Sequence, residues 1–201
     1  MALVYILRSG NEDLFKIGRT SGDVEARRKH LSTGNPHPLT VFDAIETEDV
    51  AACESFLHGK LQSKRCAGDA REFFALTAAE LQDAIREARD YLMEDLPRQK
   101  EAERLAKQDS DGRILQPGHD EWETHRRLLQ VREAEHGLGI ARTRFENELK
   151  LVIGTAAGLD GIATWKSHSV KKFDEALFKR TEPDLYKEFF REARIRKFLL
   201  R

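Results

Sequence analysis

Five side chains among the first sixty residues have the chemistry that phosphodiester hydrolysis requires. That reaction needs an activated water, positive charge near the phosphoryl oxygens and a proton for the leaving oxygen. Glu54 can hold Mg²⁺, which keeps several waters beside one or two protein carboxylates, and His58 follows four residues later on the same helix face. Arg27 offers a permanently charged fork to a phosphate. Tyr5 or Lys16 can position or deprotonate the water.

Each of these residues also has an ordinary structural role to set against the chemical one. Tyr5, on an apolar segment, is by default a half-buried core tyrosine. Glu54, beside an apolar helix stripe, is by default a solvated acid at the helix edge, and a lone His58 is more often structural than catalytic. Arg27 and Arg28 are adjacent, so a helix register shifted by one residue would give the phosphate-binding role to Arg28.

Turn-forming and apolar segments alternate in a way that predicts the elements that must position these residues. Turn residues 9–13 separate two β-prone runs and predict a hairpin, and two prolines then lead into a third strand. Residues 1–93 are therefore predicted to form an α+β domain, a small three-stranded antiparallel sheet flanked by helices. The predicted strands are 2–7, 14–20 and 39–45, and the predicted helices begin at Asp23, at Asp49 and at the capping box of Thr77.

The order of short motifs along residues 3–93 resembles the phage-type branch of the GIY-YIG nuclease superfamily. The motifs that carry the resemblance are Val4-Tyr5-Ile6, Lys16-Ile17-Gly18, Arg27 with Leu31 and Pro36, Glu54 with His58, Arg65, and Glu72-Phe73-Phe74. The sequence departs from the superfamily at two positions, because Val4 replaces its first glycine and Lys16 its second tyrosine.

This resemblance implies a metal-dependent DNA endonuclease of phage or mobile-element origin, with Mg²⁺ or Mn²⁺ as cofactor. It places the metal on Glu54, the phosphate on Arg27 and the attacking water near Tyr5 and Lys16. The catalytic residues that it implies are Tyr5, Lys16, Arg27, Glu54 and His58, and Arg19 and Arg65 are expected to contact DNA. The alternative is a non-catalytic DNA-binding protein that keeps the nuclease fold, because members of this branch are often described only as DNA-binding.

The carboxyl-terminal half has a different pattern. Residues 94–119 are predicted to be a charged linker, part helix and part loop, and residues 120–201 an accessory helical and αβ module. The module is predicted to contain a long helix from Glu121 to Ile153, with a possible break at its two glycines, then strands at 162–166 and 197–201 and short helices near 174–180 and 184–193. The module also contains the segments IGTAAGLDGIATWKS (153–167), KKFD (171–174), EPDLYKEF (182–189) and RKFLLR (196–201). In these segments it resembles the tail of YqaJ-type phage recombination exonucleases, whose catalytic motifs lie upstream of that tail and are not carried over.

Charge is unevenly distributed along the chain. The net charge of the whole chain is −1, which excludes a polybasic binder. Residues 1–93 hold 12 basic and 15 acidic side chains, whereas residues 120–201 hold 17 and 14, so the carboxyl-terminal region has a net charge of +3. That region is predicted to supply DNA contacts through Lys166, Arg194, Arg196 and Lys197. Its long helix also suggests two further readings, a homo-oligomer or a partner-binding assembly protein.

The remaining composition points to a protein without a membrane anchor. No apolar run approaches the roughly 18 residues of a membrane span. Cys53 and Cys66 are too few for a disulfide framework or a Cys-rich zinc site. The expectation is a cytoplasmic protein.

Overall fold

The computed structural model describes residues 2–33, 37–66, 72–190 and 195–200. The described chain groups into two compact units, one of residues 1–108 with 195–201 and the other of residues 109–194. Pro36 of the motif series and Arg194 of the predicted DNA contacts lie outside the described residues.

The first unit is built on a four-stranded antiparallel sheet, with the strand order β3-β1-β2-β4. The strands are β1 (Leu3–Ser9), β2 (Leu14–Thr20), β3 (Leu39–Glu46) and β4 (Phe73–Ala75). The α+β class and the antiparallel sheet are thus confirmed, but the sheet has a short fourth strand beyond the three predicted. β4 pairs with only the first three residues of β2, from Leu14 to Lys16, and leaves the rest of that edge without a strand neighbour in the described chain.

Helices cover both faces of this sheet. They are α1 (Val24–Ser32), α2 (Val50–Lys60), α3 (Ala78–Asp90) and α4 (Leu96–Ala106), with a π-helical turn at Tyr91–Asp95 between the last two. The predicted caps are confirmed at Asp23, which accepts from the Ala26 amide at 2.8 Å, and at the Thr77 capping box. The predicted cap at Asp49 is wrong, because its carboxylate bonds Lys100 at 2.6 Å instead of the helix amides.

Alternation along β1 and β2 divides the core into two layers, because successive side chains of a strand point to opposite faces. One face packs on α2 and α3 and the other packs on α1. The first layer includes Val4, Ile6, Phe15, Ile17, Cys53, Leu57, Leu81 and Ile85, and the second includes Tyr5, Leu7, Leu39, Val24, Leu31 and Phe73.

The second unit contains one long helix and several short elements. These are α5 (His119–Ile153), a hairpin of β5 (Gly158–Leu159) and β6 (Ala163–Thr164), α6 (Glu175–Thr181) and α7 (Pro183–Glu188). α5 is continuous through its two glycines, so the possible break does not occur. The strand predicted at 162–166 is only two residues long, and residues 195–200, in the first unit, form no strand. Among the described residues, none of the helices is long and apolar enough to span a membrane.

Candidate active site

The ring of Tyr5 lies against the backbone of Gly18. Tyr5 is on β1, is only 2% exposed and is paired with Gly18 across the ladder to β2. A Cβ built on Gly18 would lie 2.5 Å from the Tyr5 hydroxyl oxygen, so a side chain at that position would displace the ring. None of residues 2–33, 37–66, 72–190 and 195–200 forms a hydrogen bond with this hydroxyl.

Lys16 points to the same side of the sheet as Tyr5 and forms an ion pair with Glu72. The lysine is 8% exposed, and its Nζ lies 5.1 Å from the centroid of the Phe73 ring. The hydrogen bond from Lys16 lowers the pKa of Glu72 below its usual value, with further contributions from the charges of Lys16, His58 and Arg27. Lys16 of β2 is thus the side chain that binds the Glu72 carboxylate, directly before β4.

His58 approaches this point from α2, on the other face of the sheet. Its Nε2 lies 3.2 Å from the Ile17 carbonyl, on the part of β2 that β4 does not pair with. A carbonyl oxygen only accepts, so the hydrogen must be on Nε2 and Nδ1 is left as an acceptor when the ring is neutral. The ring also packs edge-on against Phe74, with centroids 5.2 Å apart. His58 therefore holds the edge of β2 next to Lys16 and Glu72.

Glu54, the predicted metal ligand, lies one helical turn before His58 and is half-buried. Its Oε2 is 3.2 Å from the Arg19 Nε, so this predicted DNA-contacting arginine is held in an ion pair. Within the described part of the chain, no cluster of three or more His, Cys, Asp or Glu side chains is arranged to hold a metal. A single carboxylate still suits Mg²⁺, which fills most of its positions with water. The assignment of a metal to Glu54 remains a prediction.

The structure separates the roles of the two adjacent arginines on α1. Arg28 donates to the Leu39 carbonyl at 3.0 Å and pairs with Glu25 at 2.7 Å, so it ties α1 to β3. Arg27 is half-buried; its backbone N–H donates to the Asp23 carbonyl at 3.1 Å, and its guanidinium makes no hydrogen bond or ion pair within the described ranges. The charge of Arg27 is one of the smaller causes that lower the pKa of Glu72. The phosphate-binding role of Arg27 stays a prediction.

The other predicted DNA contacts are dispersed. Arg65 lies over the Phe74 ring at 5.2 Å, close to the candidate site. Arg196 donates to the Leu105 carbonyl at 3.1 Å, and Lys197 is exposed beside it. In the second unit, Lys166 lines a cavity of about 530 Å³ at the carboxyl end of α5.

Two residues of this site were absent from the predicted catalytic set. Glu72 belongs to the Glu-Phe-Phe motif, which was the available signal, but its partner Lys16 is 56 residues away in the sequence. Gly18 closes the Lys-Ile-Gly motif, and only the cross-strand register with Tyr5 shows what the glycine is for.

Residues 2–89 match the T5orf172 domain. The match spans every element that contributes to the candidate site and indicates a phage-type, nuclease-like or DNA-binding domain. No curated protein and no solved structure matches this chain. The likeness of the carboxyl-terminal region to a YqaJ-type tail stays a prediction.

Proposed function

We propose that residues 2–89 are a metal-dependent DNA endonuclease domain of the GIY-YIG type, which hydrolyses phosphodiester bonds. The observation that carries the proposal is the ion pair between Lys16 and Glu72, at the edge of β2 where the pairing with β4 ends and where His58 bonds the Ile17 carbonyl. The charge of Arg27 also contributes to lowering the pKa of Glu72. The Tyr5 hydroxyl, which has no partner within the described residues, is on the same side of the sheet as Lys16. Such a group of cations and one hydroxyl suits a phosphate and the water that attacks it.

Each side chain has a distinct task in this proposal. Arg27 binds a non-bridging phosphate oxygen, because its guanidinium is permanently charged and has no other hydrogen-bond partner in the described chain. Lys16, fixed by Glu72, adds positive charge where the transition state gains negative charge. The Tyr5 hydroxyl orients the attacking water. His58, fixed by its hydrogen bond to the Ile17 carbonyl, presents Nδ1 as an acceptor for a proton from a solvent molecule at the edge of β2.

Glu54 is the residue that would hold Mg²⁺ or Mn²⁺ in this domain. A bound divalent ion supplies charge stabilisation to the phosphoryl oxygens and lowers the pKa of a coordinated water. Arg19 lies at Oε2 of the same carboxylate, so a metal would bind at Oε1 beside this ion pair or would take the place of Arg19 at Oε2. In the second case Arg19 would become available to a DNA phosphate, which is the contact predicted for it.

The test is cleavage of supercoiled plasmid and of single-stranded DNA in the presence of Mg²⁺, Mn²⁺ or EDTA. We expect the wild-type chain to cut with a divalent ion and not with EDTA, and Glu54→Ala to abolish cutting without loss of the circular dichroism signal. Glu48→Ala is the matched control, because it removes an exposed carboxylate of the same unit that is outside the site. Equal cleavage by the Glu54→Ala and wild-type chains would remove Glu54 from the reaction.

A non-catalytic DNA-binding domain is the second candidate function. The Arg19–Glu54 ion pair favours it, because that pair occupies the one carboxylate proposed to hold the metal. This candidate predicts a shift of labelled DNA in a gel with no cleavage under any of the metal conditions. It also predicts that Arg27→Ala weakens DNA binding, because the same guanidinium would serve as a phosphate contact.

A further inference from the structure

Helix α5 carries an exposed apolar stripe with a spacing of seven residues. A seven-residue repeat of apolar side chains, with a second apolar position three residues after each, is typical of a coiled-coil seam. The repeat is Val131, Leu138, Phe145 and Val152; the second position holds Ala134 and Ala141 after the first two and Glu148 after Phe145. The four large side chains are between 53% and 71% exposed, although they lie on a well-formed helix.

This stripe is too extensive to be an ordinary feature of a monomer surface. Scattered apolar side chains are common on surfaces, but a contiguous patch along several helical turns marks an interaction site. The helix is about 52 Å long at 1.5 Å per residue, and the stripe follows more than half of it. Large and small side chains alternate along the stripe, so a complementary surface places a small side chain opposite each large one.

We propose that the stripe pairs with the same stripe of a second copy of this chain, with the two α5 helices antiparallel. In this register Leu138 lies opposite Ala141 of the second copy, and Phe145 lies opposite Ala134 of the second copy. A large side chain then faces a small one in each central layer, so the two helices approach closely without overpacking. The two-fold symmetry of such a pair repeats each contact twice.

The charges beside the seam select the antiparallel arrangement. In the register given above, Glu135 lies opposite Arg142 of the second copy, and Leu128 lies opposite Leu149 of the second copy. A parallel pair would instead place Glu148 against its own counterpart within the seam, whereas the antiparallel register places it opposite Val131 of the second copy. The antiparallel pair therefore brings opposite charges together beside the seam, whereas the parallel pair brings like charges together within it.

The test is sedimentation equilibrium of the full chain at several concentrations, with charge-reversal variants of the flanking pair. We expect the wild type to dimerise, and Glu135→Arg or Arg142→Glu alone to weaken the dimer about tenfold, because each creates two like-charge contacts. The double variant Glu135→Arg/Arg142→Glu should dimerise as the wild type does. An equimolar mixture of the two single variants should also dimerise, since every flanking contact is then between opposite charges.

A second pair of variants tests the seam itself. Leu138→Glu should reduce dimerisation by at least tenfold, whereas Ile140→Glu, an equally exposed apolar position on the opposite side of the helix, should not. Circular dichroism verifies that each variant keeps its helix. A chain that stays monomeric at every concentration overturns the proposal. A dimer whose affinity is unchanged by either single charge reversal, or that the double variant fails to restore, overturns it as well.

Discussion

The phenol of Tyr5 lies across Gly18, on the neighbouring strand, so closely that a single methyl group at position 18 would lie 2.5 Å from the hydroxyl oxygen. Tyr5 is buried and fixed in place, and the glycine is what allows its ring to lie flat along the sheet. The backbone of Gly18 does not have a positive φ, so the glycine is required for space and not for backbone conformation.

We therefore expect Gly18→Ala to destabilise the domain and to remove activity together. The added methyl group must push the Tyr5 ring out of its position, at a cost of about 1–3 kcal/mol for overpacking. Urea unfolding measures the loss. In a Tyr5→Ala background, where no ring is present, Gly18→Ala should be nearly neutral, and an equal loss in both backgrounds would show that the two residues are not coupled.

The adjacent arginines of α1 should separate activity from stability. Arg27→Ala should lower the cleavage rate by about 10²-fold or more, the scale for losing a preorganised charge donor, and leave the free energy of unfolding nearly unchanged. Arg28→Ala should leave the cleavage rate nearly unchanged and lower the free energy of unfolding by about 1 kcal/mol, because its hydrogen bond to the Leu39 carbonyl and its ion pair with Glu25 are lost. Plasmid cleavage and urea unfolding of both variants provide the comparison. The opposite assignment would mean that Arg28 faces the phosphate.

Glu72 should make the stability of the domain depend on acid pH. Its pKa is lowered in the folded chain, chiefly by the hydrogen bond from Lys16, so the unfolded chain binds its proton more readily. The stabilisation is therefore present above the unfolded pKa of about 4.3 and is lost as the pH falls through the lower folded value. Because Glu72 is largely exposed, the effect should be below about 1 kcal/mol.

The measurement compares wild-type and Glu72→Gln chains by urea unfolding between pH 7 and pH 3, with Glu46→Gln as an exposed control. The wild type should be the more stable at neutral pH, and the difference should shrink toward acid pH. A difference that is constant across the range would show that the carboxylate charge contributes nothing to folding.

Local patterns predicted most of the first unit, whereas contacts between distant residues could not be predicted. The hairpin of β1 and β2, the Asp23 cap and the Thr77 capping box each depend on neighbouring residues, and all three are confirmed. By contrast, Asp49 is not a cap because Lys100, 51 residues away, binds its carboxylate.

The candidate site shows the same limit. The types of its residues and their motif spacing indicated Tyr5, Lys16, Arg27 and His58, but not that Glu72 is the ion-pair partner of Lys16. β4 has only three residues, too short for periodicity to distinguish a strand from an irregular segment. Because the position of Glu72 depends on that strand, its place in the site could only be found from the fold.

The last prediction concerns the basic residues near the carboxyl end. If Arg196 and Lys197 contact DNA phosphates, replacing both by Gln should flatten the plot of log affinity against log salt by up to about 0.9 per lost duplex contact. Arg196 also bonds the Leu105 carbonyl at the end of α4, so Arg196→Gln alone should slightly destabilise that helix end, whereas Lys197→Gln should not.

Binding isotherms at several salt concentrations, in a Glu54→Ala background that prevents cutting, measure the slope. A flatter slope for Lys197→Gln assigns it a phosphate contact. A slope unchanged in the double variant would mean that these two residues serve packing or solvation and that the DNA contacts of the chain lie elsewhere.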